Sequence, residues 1–497
     1  MTYAHAHNDY KHGSARWSEI HDHNRARLYR QTARSAYQGL CPYTKKPLYV
    51  DSDASLITIA GAGSGKGRDV LLYTAGYDDN MLLLDPKGEL AAITASAHRM
   101  RGARVYCVNP SGLHTGFPWN LPMNSVDPLA FLTPDSPTLT TDCCLVAEFL
   151  IALTGGKSVF FEQRARQWLA TLLKWLVIKM GGVSLPELFA LLSMIESEPY
   201  RFEEICKNEL LNFYSDDVRR VAGEMLYKRD KASGEFSGIM ATIYQNLSWI
   251  DDPLLSGCLG KPDFSLSELC EPTKTVVFLI VPAEYVGVWS GFLRLLIGVA
   301  MVHKQRRAGQ RVLFVVDEAA QLGNFEMLKR AYTIGRGFGL RAWSAWQDLG
   351  QIEKHYGKEG VSTFLGSSQV RQFFGVRDWE TALLVSNMLG NQTFEYDDLA
   401  KQAEAKKAKR HVVQSLFGGA DPFQVGMDAA HFARESRRKQ TIQRPLMTPD
   451  EILQMPENKQ VLFISGVDCQ PIYADKLPYF KAKAMRGLFM KSPYHAA

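Results

Sequence analysis

Residues Ala60 to Tyr73 read AGAGSGKGRDVLLY, a glycine-rich turn between the apolar run LITIA from Leu56 and a segment that opens a helix near Lys66. Few stretches constrain a fold more. Glycines let the backbone turn with its N–H groups facing inward, and those groups, together with a helix N-terminus, attract phosphate oxygens. Lys66 adds a point charge for the β and γ phosphates, so Gly61, Ala62, Gly63, Ser64, Gly65, Lys66, Gly67 and Arg68 form the expected cradle for a nucleoside triphosphate. Measured against GxxxxGK[ST], Ala60 stands in the place of the first glycine and Gly67 in that of the hydroxyl that helps to hold Mg2+.

The chain around this loop alternates. After it come MLLLDPKGEL, a buried strand ending at Asp85 before the breaker Pro86, a helical run from Glu89 to Met100, and the strand ARVYCVNP. Strand, helix and strand with almost continuous apolar strands indicate a parallel sheet covered on both faces. The rhythm stops near Pro110. From Thr141 to about Cys270, runs such as FFEQRARQWLATLLKWLVIKM and SLPELFALLSMI carry apolar residues at helical spacing, so an all-helical domain is inserted there. Its Arg164, Arg166, Lys174, Arg219, Arg220, Lys228 and Arg229 face either nucleic acid or solvent.

At 497 residues with 46% apolar content, the chain has material for two or three cores. Eight cysteines without a CxxC spacing read as reduced structural thiols, in keeping with a cytosolic compartment. TLLKWLVIKM and GFLRLLIGVAMVH are too short and too charged to span a bilayer and are expected as core helices. A net charge of +5 is mild, and the N-terminus lacks the pattern of a signal peptide. The histidines of the leader, His5, His7, His12, His21 and His23, have no carboxylate or cysteine cluster beside them and are read as part of a polar arm.

The sheet resumes with TVVFLIVP and then RVLFVVDEAAQLG. Five apolar positions ending in Asp317 and Glu318 match a strand whose aspartate holds magnesium through water and whose glutamate takes a proton from attacking water. LRAWSAWQDLG ends a further strand at Gln347, which either senses the γ phosphate by a hydrogen bond or caps a turn at the strand end. Arg371 and Arg377 flank VRQFFGVRD as candidate arginine fingers, with Arg330, Arg336 and Arg341 as competitors.

HGSARW (His12 to Trp17), SGKG, LDPKGEL, VVDEAAQLGN, the run Gly335 to Gly357, FFGVRDWETA and RPLMTPDEI occur in order over nearly the whole chain. In that ordered series the chain resembles the TraG-like coupling proteins of type IV secretion. The resemblance implies an α/β fold: a RecA-like P-loop NTPase domain with a parallel-dominated sheet and an inserted all-α domain, working as a homo-hexamer. It further implies hydrolysis of ATP with Mg2+, relaxase-bound single-stranded DNA or secreted proteins as substrates, and a type IV secretion channel as partner at the cytoplasmic face of the inner membrane. By position, Gly65 and Lys66 belong to the nucleotide loop, Asp317 and Glu318 to magnesium and water activation, and Gln347 to sensing. Asp85 either holds Lys66 or a magnesium-bound water, or starts a helix. Family members carry membrane helices ahead of HGSARW, whereas eleven residues precede it here, so the anchor is expected to be absent, removed or supplied by another chain.

The expected domains are residues 1–44 as an N-terminal arm, 45–130 and 271–482 as two parts of the nucleotide-binding domain, 131–270 as the helical insertion and 483–497 as a loose tail. Within the second part, 400–443 is expected as a basic loop with Lys406, Lys407, Lys409, Arg410, Arg437, Arg438 and Lys439 available for phosphate backbones or simply solvated. A translocating ATPase is the favoured reading. A nucleotide-binding docking platform with little turnover is the alternative, kept by Ala60 and Gly67.

Overall fold

The computed structural model describes residues 12–396, 399–415, 421–435 and 440–494. Its contacts divide into two compact units, one made of Met1–Glu19, Val376–Met455 and Gln470–Ile472, the other of Ile20–Gly375, Pro456–Cys469 and Tyr473–Ala497.

The larger unit is built on one sheet of eleven strands. In chain order these are β1 (Ser35–Leu40), β2 (Pro47–Asp51), β3 (Leu56–Ala60), β4 (Asn80–Pro86), β5 (Arg104–Val108), β6 (Thr275–Val281), β7 (Val312–Val316), β8 (Leu340–Trp346) and β9 (Val370–Phe374). Strands β10 (Asn391–Tyr396) and β11 (Gln440–Pro445) form a separate antiparallel pair, and β12 (Lys459–Ile464) and β13 (Ile472–Asp475) return to the large sheet. The order across it is β2-β1-β13-β12-β9-β3-β8-β7-β4-β6-β5. From β9 to β5 every pairing is parallel, while β12, β1 and β2 pair antiparallel. Strands β3, β6, β7 and β8 are buried at every position, which is why β3, β6 and β7 read as almost unbroken apolar runs; β8 also buries Arg341 and Ser344.

A run of helices from Leu139–Leu150 to Pro253–Ser256 lies between β5 and β6. TLLKWLVIKM lies in the helix Val159–Met180 and GFLRLLIGVAMVH in the helix Ser290–Arg306, whose apolar faces are buried. Among the described residues no single helix is long and apolar enough to cross a membrane; Val159–Met180 and Leu185–Ser197 reach that composition only as a pair bent by 118°. β12 and β13 are neighbours in the large sheet, placed between β9 and β1.

Three expectations are corrected. The helix after the glycine loop is only Lys66–Asp69, broken at Val70 (φ −133°, ψ −65°) and continued as the 3₁₀ turn Leu71–Gly76. Second, the described part of 400–443 is not loop but the helices Leu399–Ser415 and Pro422–Glu435 followed by β11. LAKQAEAKKAKRHVVQS has no apolar stripe, yet it is dense in Ala, Lys, Gln and Glu, whose intrinsic helix propensity is high. Arg437, Arg438 and Lys439 lie outside the described residues. Third, the segment after Ala482 is tied down: Met490 N donates to Ile93 O (2.9 Å). Trp119 Nε1 donates to Lys491 O (2.9 Å) and the Tyr494 hydroxyl to Lys87 O (2.8 Å).

In the smaller unit the HGSARW segment adds to β10 as an extra edge. Ala15 N donates to Asn391 O (3.0 Å), Thr393 N to Gly13 O (3.1 Å) and His12 N to the Thr393 hydroxyl (3.0 Å). Gly13 has φ +141°, and a Cβ there would stand 2.2 Å from Asn391 O, so only glycine lets the two backbones meet. His5 and His7 lie outside the described residues, and His21 and His23 belong to the short helix Ile20–Arg25 of the larger unit.

Candidate active site

The glycine loop leaves the carboxyl end of β3, the crevice where parallel sheets place ligands. Ala60 is the last, fully buried residue of that strand, paired with Phe374, and extended backbone there needs no glycine. Gly65 has φ +90°, and a Cβ on it would lie 2.5 Å from Asp69 Oδ2, so this position admits glycine alone. Around Gly67 a Cβ would meet nothing within 4 Å, so a hydroxyl-bearing side chain has room that this sequence leaves open. With a helix of one turn behind it, the loop draws its anion attraction from its own N–H groups and Lys66 more than from a macrodipole.

Lys66, buried to 8% exposure, reaches across to the carboxyl end of β7. Its Nζ donates to Glu318 Oε1 at 2.6 Å and stands 3.9 Å from Asp317 Oδ1. The other Glu318 oxygen, Oε2, accepts from Gln347 Nε2 at 3.0 Å. Strand β8, which ends one residue before Gln347, lies between β3 and β7, and this order brings Lys66, Glu318 and Gln347 into one chain of contacts. Glu318 sits at φ +53°, a left-handed backbone that a non-glycine residue holds only where its surroundings over-determine it.

Burial pushes the Asp317 carboxyl up to about 6, against the pull of Lys66. Asp85, at the end of β4, is pushed up to about 7 by burial, with the charge of Asp317 adding to it. Its Oδ2 accepts from Ala91 N (2.8 Å), so the helix-start reading describes its hydrogen bonds, at the head of Glu89–Met100. Both groups keep their proton to higher pH folded than unfolded, so the native state binds more protons between about pH 4 and pH 7, and stability from these groups falls as pH rises through that window. Asp85→Asn removes one titration: in chelator, its melting temperature relative to wild type should climb across the window. A constant difference would contradict the assignment.

Other sequence candidates lie elsewhere. Arg371 pairs with Ile57, toward the start of β3 and away from the loop, where its guanidinium contacts the Ser465 hydroxyl and lies 5.7 Å from the Phe463 ring centre. Arg341 is fully buried, donating to Ala54 O and the Tyr77 hydroxyl, so it cannot reach a neighbouring subunit. Arg330 pairs with Glu148 at 3.3 Å. In the helical run, Lys174 is spent on Ser215 and Asp217, Arg166 on Ile151 O, Arg219 on Asp216, Lys228 on Glu235 and Arg229 on Glu203. Arg164 stands 3.7 Å from Glu224. Each of these cations has a partner within the chain, Arg164 and Arg219 at the surface, while Arg220 is exposed.

Sequence reading missed Lys476. It lies just past β13, 5% exposed, and its Nζ donates to Ser64 O (2.6 Å) and Asp69 Oδ2 (3.2 Å) while standing 4.1 Å from the Phe374 ring centre. Asp69 in turn is held by both arms of Arg68, at 2.6 and 2.9 Å. Lys476 thereby fixes the backbone of the glycine loop at the Ser64 carbonyl. No local signal in ADKLPYF points to this, because the partner is a backbone carbonyl 412 positions away. Lys476→Met should weaken nucleotide binding by about tenfold, roughly 1.4 kcal/mol. Titration with a fluorescent nucleotide checks it, and unchanged affinity in a folded variant would discard the role.

A family model described as type IV secretory system conjugative DNA transfer matches residues 7–494. The chain is 25% identical over 423 residues to the conjugal transfer protein TraG of Rhizobium radiobacter, covering 82% of this chain and 60% of that one. It is also 25% identical over 446 residues to the type IV secretion system-coupling protein VirD4 of Bartonella quintana, covering 86% and 63%. The chain thus spans about three fifths of the length of these relatives. Among solved structures, the bacterial conjugative coupling protein TrwB aligns with a TM-score of 0.60 at 16% identity, over 92% of this chain and 93% of that one. TrwB in complex with ADP and Mg2+ aligns at 0.61 and 16% identity, over 95% and 96%. The fold is a RecA-like P-loop fold with a mostly parallel sheet. By the match over almost its whole length, the chain belongs to the type IV secretory system conjugative DNA transfer family.

Proposed function

We propose that this chain is a coupling ATPase that hydrolyses ATP with Mg2+ to recruit and drive DNA or protein substrates toward a type IV secretion channel, as a homo-hexamer at the cytoplasmic side of the membrane. The observation that carries it is the contact chain Lys66, Glu318 and Gln347 at the mouth of the glycine loop. The residues fit the implied ligands: the loop offers its amides, Gly67 leaves open space, and Asp317 presents a carboxylate beside Lys66. TrwB has been solved with ADP and Mg2+, which supports the same ligands here.

Bound Mg2+, held through Asp317, would supply charge neutralisation on the phosphate oxygens. The protein supplies the rest. An incoming phosphate competes with Glu318 for Lys66, and pairing of Lys66 with phosphate frees the Glu318 carboxylate. Glu318 then takes a proton from water as its oxygen attacks the γ phosphorus and the bond to the β phosphate oxygen breaks. Gln347 reads the state of Glu318 and the γ phosphate through its amide.

Steady-state phosphate release with and without single-stranded DNA tests this reading. Stimulation by DNA is the expected result; turnover indistinguishable from that of Lys66→Ala would leave a docking platform instead. For the DNA arm, the exposed residues Lys406, Lys407, Lys409 and Arg410 on the helix Leu399–Ser415 provide the test. Replacing all four with alanine should weaken binding and flatten its salt dependence by about one unit of slope for each phosphate that the helix no longer neutralises. An unchanged slope across a salt series would remove this helix from the DNA path.

A further inference from the structure

Arg294, on the helix Ser290–Arg306, is 4% exposed, and among the described residues no carboxylate pairs with it. Its guanidinium is spent on three backbone carbonyls. Nε donates to Phe149 O (2.8 Å), Nη2 to Leu150 O (3.0 Å) and Nη1 to Leu322 O (3.0 Å). The first two are the last carbonyls of the helix Leu139–Leu150, which have no amide of their own helix left to accept from. The negative end of that helix takes the place of a counter-ion. The third carbonyl closes the 3₁₀ turn Ala319–Leu322, which begins one residue after Glu318.

Asn324 makes the same connection, its Nδ2 donating to Leu153 O (3.1 Å), while Arg166 Nε, from within the helical run, holds Ile151 O (2.7 Å). Phe149 meets Phe325 edge to face at 6.0 Å. The helices are pressed together here: a Cβ on Gly298 would come 2.7 Å from the Phe149 ring. The end of the first helix in the helical run is therefore fastened, through Arg294 and Asn324, to the turn that sets the backbone of Glu318.

We infer that Arg294 and Asn324 are positioning residues of a mechanical joint, through which a shift of the helical run moves the Glu318 turn and occupancy of the nucleotide site moves the segment 149–155. The inference rests on the nucleotide reading of the site. By linkage, a substrate that displaces the helices alters the setting of Glu318, and the reverse holds equally for binding. Removal of either side chain leaves the P-loop untouched and weakens the connection, Arg294 by three bonds and Asn324 by one.

Hydrogen exchange on the full chain tests it, with a non-hydrolysable ATP analogue and Mg2+, in wild type, Asn324→Ala, Arg294→Met and Arg294→Lys. In wild type the nucleotide should slow exchange in 61–68 and change it several-fold in 149–155. All three variants should keep the protection at 61–68; Arg294→Met should lose most of the response at 149–155, while Asn324→Ala, which keeps the Arg294 bonds, and Arg294→Lys, able to keep one carbonyl, should each retain part of it. A response at 149–155 that is equal in all proteins, or missing in wild type while 61–68 is protected, overturns the joint. Missing protection at 61–68 in wild type overturns the nucleotide reading and the joint with it. Should Arg294→Met not fold, Asn324→Ala, which loses a single bond to Leu153, decides the matter.

Discussion

Glu318→Gln is expected to lower ATP turnover by about 10²- to 10⁴-fold, the range for losing a positioned general base, while nucleotide binding persists. Two features of the site set that expectation. The carboxylate touches both Lys66 and Gln347, so it stands where water must be activated if the phosphate lies on Lys66. It also competes with that phosphate: replacing its charge with an amide weakens its hold on Lys66, so affinity for nucleotide should stay level or rise. Phosphate release and fluorescent nucleotide titration measured on one preparation separate the two effects. Wild-type turnover in Glu318→Gln would discard Glu318 as the base, and a loss of binding would assign it to the cradle instead.

The second large effect is on stability. Arg311 is 4% exposed, and its guanidinium contacts Asp79 and donates to Asp53 (2.6 Å), Ser52 O (2.8 Å), Arg34 O (3.0 Å) and the Tyr77 hydroxyl (2.9 Å). It thus ties the start of β7 to the loops before β3 and β4. Asp79 is itself 6% exposed; burial raises its carboxyl, and Arg311 is the main pull back toward the charged form. Arg311→Met leaves that carboxyl with only the half-exposed Arg34, 3.8 Å away, as a cation partner and should cost about 3 kcal/mol. Asp79→Asn added to it removes that charge and should restore part of the loss, read as the denaturant midpoint. A double variant no more stable than Arg311→Met would show that the cost lies in the carbonyl contacts rather than the ion pair.

Legibility in the sequence followed the range of the forces involved. The loop Gly61 to Gly67, the strand ending at Asp317 and Glu318 and the strand ending at Gln347 could be read because each rests on local chemistry, glycine turns or apolar runs that stop at a polar residue. The helical run could be read because core-facing residues repeat at helical spacing. Leu399–Ser415 was misread as loop because its helix comes from intrinsic propensity, which leaves no stripe to find. The tail after Ala482 was misread because it is held by single hydrogen bonds to carbonyls such as Lys87 and Ile93, for which its residue types give no cue.

The sequence by itself therefore determined the class of fold, the glycine-rich loop after β3 and the two strand ends that face it. Only the tertiary structure decided the strand order that sets β8 between β3 and β7, the pairing of Lys66 with Glu318, the service of Lys476 to the Ser64 carbonyl and the clasp of Arg294 on three carbonyls. The reason is physical. Turns and amphipathic periods are written in neighbouring residues, whereas a buried cation chooses its partners by where the packed sheet and helices bring oxygen atoms within about 3 Å.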